Sequence, residues 1–143
     1  MCWLNRDWFA APGDLSAIWQ GAACVCSGAE PCIPSCNDQQ TCGRCFEVAC
    51  KPAGTYTHPD DNDTHGGYCR TDQSVVVEVI DACPHNHQYN TYWCTDQRPD
   101  HIDISCSAFR ELTEDRQTVN NIGSINVWVR PVDCSTGHGV HPL

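Results

Sequence analysis

The chain has 143 residues, the size of a single domain, so one domain spanning 1–143 is expected. Eight Lys and Arg against 18 Asp and Glu leave a formal net charge of −10, which denies nucleic acids and anionic membrane surfaces the clustered positive charge they require. No apolar run approaches the roughly 20 residues that cross a bilayer, while 41 % hydrophobic residues with 5 Trp supply a core and exclude a disordered chain.

The chain opens on Met1 and Cys2 without a signal-peptide pattern, which suggests a trimmed start. From Gly21 to Cys45, cysteines are punctuated by Gly, Pro, Ser, Asn and Asp, and this stretch predicts irregular backbone stapled by disulfides. The 13 cysteines of the whole chain are in the range of a secreted disulfide scaffold, so an extracellular or lumenal address is expected. Their odd number leaves at least one free, missing its partner, or paired with another chain in a larger assembly.

Cys45-Phe46-Glu47-Val48-Ala49-Cys50 alternates as a half-buried strand and ends at Lys51-Pro52. Residues 55–67 lack periodicity and read as a solvated loop, in which Asn62-Asp63-Thr64 is an acceptor triplet for N-linked sugar. Asp61, Asp63, His65 and Asp72 imitate calcium-loop spacing, but His is a poor calcium ligand, the closing residue is not Glu and the flanks are not helical. Val75 to Ile80 predicts the strongest strand, stopped by the Cys83-Pro84 turn.

A polar loop over 85–99 carries Tyr89, Tyr92 and Trp93. Its His85 and His87 lie near Cys83 and Cys94 as zinc ligands would, but in an oxidising compartment those cysteines are expected to be bridged, and neither metal nor cofactor is expected. His101-Ile102-Asp103-Ile104-Ser105 alternates, placing His101, Asp103 and Ser105 on one face. A short helix follows, capped by Ser105 with Ala108, Phe109 and Leu112 as its apolar stripe. Gly123 to Val132 predicts a final strand, with Ile125, Val127 and Val129 alternating against Asn126, Trp128 and Arg130. Several short strands, one helix and dense disulfides imply an all-β class and a compact barrel.

Asp103 is the acid of greatest chemical interest. In a partly apolar groove its charged form would be desolvated, which suits a carboxyl to protonate a glycosidic oxygen. The alternative is a strand-edge acid that caps the following helix.

Five segments in order carry a family resemblance: Gly21-Ala22-Ala23-Cys24, Cys42-Gly43-Arg44-Cys45 through Cys50, Val77 through Pro84, His101 through Ser105 with Ala108-Phe109, and Gly123 through Cys134. The chain resembles the six-stranded double-psi β-barrel of expansin first domains, family 45 glycoside hydrolases and barwin-like proteins. The resemblance implies that Cys42 bonds a cysteine near Cys24, Cys45 bonds Cys134 and Cys50 bonds Cys69, with Cys83–Cys94 a further candidate. Cys2, Cys26, Cys32, Cys36 and Cys106 stay unassigned.

By the same resemblance Asp103 is the essential acid, and Asp81 is either a second groove acid or an acceptor for backbone N–H groups in the Cys83-Pro84 turn. Asp7-Trp8-Phe9 matches the first strand, where Asp7 would share the groove face with Phe9 as a base or a hydrogen-bonding acid. Trp8, Tyr89, Tyr92, Trp93 and His101 are the expected substrate contacts, the aromatic rings stacking on sugar faces. Trp19 and Trp128 are open between groove and core.

The resemblance implies an extracellular protein of expansin type that binds and loosens β-glucan such as cellulose without hydrolysis. The alternatives are an inverting endo-β-1,4-glucanase with Asp103 as general acid, or a non-catalytic structural or barwin-like module. Expansins carry a second domain after the barrel, whereas this chain stops at Leu143.

Overall fold

A computed structural model describes residues 7–13, 43–51, 70–83, 101–113 and 125–143. Among them lie β1 (Phe9–Pro12), β2 (Cys45–Cys50), β3 (Gln73–Val79), β4 (Ile102–Ile104), α1 (Cys106–Leu112), β5 (Val127–Val132) and β6 (Gly139–Pro142), with a 3₁₀ turn at Cys134–Thr136. β2, β4 and α1 fall where alternation and capping predict them. β3 starts before Val75 and ends before Ile80, which is exposed, and β5 starts at Val127 rather than at Gly123.

The chain forms two compact units, one containing 1–8, 45–77 and 105–143 and the other 9–44 and 78–104. β3 thus gives Gln73–Val77 to the first and Glu78–Val79 to the second.

In the first unit β2 and β5 are antiparallel, from Cys45 opposite Val132 to Cys50 opposite Val127. The Lys51 N–H donates to the Asn126 carbonyl at 2.9 Å and carries the ladder one residue further. β6 lies antiparallel on β3, Gln73 opposite Pro142 and Val76 opposite Gly139. The fully buried side chains of this unit include Val48, Val75, Val76, Val77 and Leu112.

Helix α1 begins at Ser105, whose hydroxyl accepts the Ala108 N–H at 3.4 Å and satisfies an otherwise orphaned donor. Arg110 lies in its last turn, where positive charge suits the negative end of the helix dipole. Ala108 and Leu112, four apart, turn one face into the core, while Phe109 is half-buried.

Cys45 is bonded to Cys134 with a Cα separation of 5.1 Å across 89 positions of sequence, the pairing that the resemblance implies. Asp133 prepares the second cysteine: its carboxylate accepts the Ser135 N–H at 2.8 Å and caps the 3₁₀ turn that begins at Cys134. That bond holds the Asp133 carboxyl below the usual carboxylate range. Cys50, Cys83 and Cys106 are also disulfide-bonded. The expected bond of Cys42 to a cysteine near Cys24 and the expected Cys50–Cys69 and Cys83–Cys94 pairings involve residues outside the described ones, where Asn62 and most of the stretch 21–45 also lie.

Glu47 on β2 keeps a side chain only 10 % exposed. It accepts the Ser74 hydroxyl at 2.6 Å and an Nε–H bond from Arg130, its direct cross-strand neighbour. The Ser74 bond, then Arg130, outweigh the desolvation that opposes ionisation, so the Glu47 carboxyl sits below its ordinary value.

Two outcomes follow from these contacts. The double variant Cys45→Ala/Cys134→Ala reopens a loop whose closure is worth about 4.6 kcal/mol by chain entropy, so its urea midpoint should fall accordingly. Because the folded Glu47 pKa lies below the unfolded value of about 4.3, its contribution is complete above that pH and disappears as pH falls through the folded value. Glu47→Gln should therefore be less stable than the parent at pH 7, and their thermal midpoints should converge on acidification below about pH 4.3.

Candidate functional site

In the second unit the short strand β1 fixes the neighbourhood of Asp103. It runs parallel to β3, Phe9 opposite Glu78 and Ala10 opposite Val79, and antiparallel to β4, with Ala11 opposite Asp103. The Gly13 N–H donates to the His101 carbonyl at 2.7 Å, and the Ile80 and Cys83 N–H groups donate to the carbonyls of Ala10 and Pro12 at 3.2 and 2.9 Å. One strand therefore sets the backbone positions of His101, Asp103 and the segment 80–83.

β4 alternates as predicted: Ile102 and Ile104 are half-buried and Asp103 faces outward. His101, two residues earlier, shares the face of Asp103, and its Nε2 lies 2.9 Å from Asp103 Oδ1. The Asp103 side chain is 56 % exposed and that of His101 only 18 %. Among the described residues the Asp103 carboxyl meets the His101 imidazole and lies near the Cys83 sulfur.

A partly exposed carboxyl held at one oxygen by His101 can exchange a hydrogen bond with a ligand while the imidazole fixes its rotamer. The Cys83 sulfur lies within 4.8 Å of the His101 and Asp103 ligand atoms, but it is committed to a disulfide and offers no thiolate to a metal. The Cys45, Cys134 and His138 group is likewise built on a disulfide.

The other candidate acids have local partners. Asp81 is exposed and its Oδ1 accepts the Ala82 N–H at 2.8 Å, a backbone bond within the segment that leads to Cys83. Asp7, in the first unit, precedes β1 rather than lying on it, and it accepts a hydrogen bond from the Ser107 hydroxyl. Trp8 has φ +66°, a left-handed backbone that is rare for a bulky residue, so strand alternation does not carry Asp7 onto the face of Phe9.

The half-buried Trp8 is held there by Ser105, whose hydroxyl accepts the Trp8 N–H at 3.1 Å as well as the N–H of Ala108. Its indole reaches to 4.0 Å from the place a Cβ on Gly139 would occupy, and Gly139 itself has φ +128°. Tyr89, Tyr92, Trp93 and Trp19 lie outside the described residues, as do His85 and His87.

Trp128 is 64 % exposed on β5, with the Lys51 Nζ 4.2 Å from its ring centroid. The signal for that exposure is its place between Asn126 and Arg130 on the polar phase of the alternation. Nothing in the sequence pattern points to Ser107 as the partner of Asp7, because the two are 100 positions apart.

The family described as Lytic transglycolase, a double-psi β-barrel family, matches residues 32–128, about two thirds of the chain. No solved structure matches. The all-β double-psi barrel expected from the sequence is the fold of that family.

Replacing Ser105 by Ala removes one acceptor from two N–H groups at once, and should lower stability by about 1–2 kcal/mol in thermal denaturation. Ser105→Thr, which keeps the hydroxyl, should recover most of the loss.

Proposed function

The chain belongs to the double-psi β-barrel family described as Lytic transglycolase, and from that premise we propose an extracellular protein of expansin type that binds wall β-glucan and loosens it without hydrolysis, Asp103 being its essential acid. The observation that carries this reading is the Asp103–His101 pair: a carboxyl steadied at 2.9 Å by an imidazole and open to solvent. Such a group can compete for the hydrogen bonds that hold one polymer chain to the next.

Inverting hydrolysis asks for more. It needs a second carboxylate roughly 6.5–9.5 Å away to activate water. Asp7 accepts from Ser107 and Asp81 from its neighbouring backbone N–H, so each carboxylate already has a local structural role. The disulfides at Cys45, Cys50, Cys83, Cys106 and Cys134 support an oxidising, extracellular setting.

The family match favours a second reading, glycosyl transfer, in which Asp103 protonates the departing glycosidic oxygen and a sugar hydroxyl replaces water as acceptor. An endo-β-1,4-glucanase is the third outcome to be distinguished.

The deciding experiment uses soluble mixed-linkage β-glucan, insoluble cellulose and a wall strip under load, comparing the parent with Asp103→Asn. The expected result is retention on cellulose and extension of the strip by the parent, no new reducing ends, and loss of extension in the variant. Reducing ends released by the parent alone would replace this reading with the glucanase. Products of altered linkage, seen by mass spectrometry without net hydrolysis, would replace it with transfer.

A further inference from the structure

The first unit carries a second group of side chains that the reading above leaves unused. On β5, Trp128 and Arg130 are two residues apart and project from the same face, and both are exposed. Residue 49, directly opposite Trp128, is an alanine, too small to cover an indole. Lys51 shares the face of Ala49, and its backbone bond to Asn126 sets it diagonally across from Trp128, which brings its ammonium over the ring.

Arg130 gives its Nε–H to Glu47, yet its side chain remains 73 % exposed. The result is a strip of ammonium, indole and guanidinium on one sheet face of a chain whose net charge is −10. Self-repulsion across the whole molecule is screened beyond about 8 Å at physiological ionic strength, so the local cations govern what can dock at contact distance.

We propose that Lys51, Trp128 and Arg130 form a binding strip for acidic sugars, the uronate units of an anionic polysaccharide. A pyranose presents an apolar C–H face to the open side of the indole. A carboxylate on that ring accepts charge-assisted hydrogen bonds from Lys51 or Arg130. A neutral glucan would use the ring and offer no anion to the Lys51 ammonium or to the outer guanidinium N–H groups of Arg130, whose Nε is held by Glu47, so charge complementarity selects the uronate. The strip contains no part of the Asp103–His101 pair and does not depend on the reading of that pair.

The test is an NMR titration of the full chain with trigalacturonate and with cellotriose, following the backbone amides of β2 and β5. Saturable shifts with trigalacturonate and none with cellotriose are expected. Trp128→Ala should weaken binding about tenfold, and Lys51→Gln by up to about fivefold with a shallower dependence on salt. The same spectra report whether each variant is folded, and Asp103→Asn should bind trigalacturonate as the parent does. Equal response to cellotriose, binding unchanged in both strip variants, or no saturable shift would each overturn the proposal.

Discussion

A strand buried on both faces has no water to turn to, and β3 is such a strand. Val75, Val76, Val77 and Val79 are all fully buried, with Glu78 alone half-buried among them. Side chains of this kind drive burial, but the peptide groups that accompany them need hydrogen-bonding partners. Neighbouring backbone provides them: β6 along Gln73–Val76, β1 along Glu78–Val79, and Gly43 and Arg44 through the N–H and carbonyl of Val79. The apolar run explains why such short strands as β1 and β6 exist at all. Neither could hold itself together, and each is defined by the ladder it completes.

The described carboxylates sort by what they touch. Glu47 is buried and fully engaged by Ser74 and Arg130, which makes it a structural charge. Asp81, Asp133 and Asp7 each take a local or helix-terminal donor and order a turn or a chain entry. Asp103 alone combines outward projection from a strand with a single imidazole contact. Its distinction is therefore geometric: a strand carries it, a neighbour two residues away orients it, and its side chain is more than half exposed.

Much of this was legible where the controlling interaction is local. Alternation identified β2 and β4, the Ser105 cap identified α1, and the two-residue spacing put His101 beside Asp103. Alternation also contained the exposure of Trp128, since Asn126 and Arg130 flank it on the same phase. Phe9-Ala10-Ala11-Pro12 and Gly139-Val140-His141-Pro142 carry little strand propensity, and only pairing with β3 makes strands of them. The left-handed turn at Trp8 was hidden for a related reason. An aromatic residue does not advertise that conformation, and the hydroxyl that accepts its N–H belongs to a serine 97 positions away.

β5 pairs with β2 along one side, and Pro131 stands within it opposite Phe46. A proline has no N–H to offer an incoming strand, so the side of β5 turned away from β2, which pairs with no other strand among the described residues, is a poor template for β-augmentation or for growth of an intermolecular sheet. The same interruption that discourages edge-to-edge stacking leaves contact with the face of β5 to its exposed side chains, which are read by shape and charge.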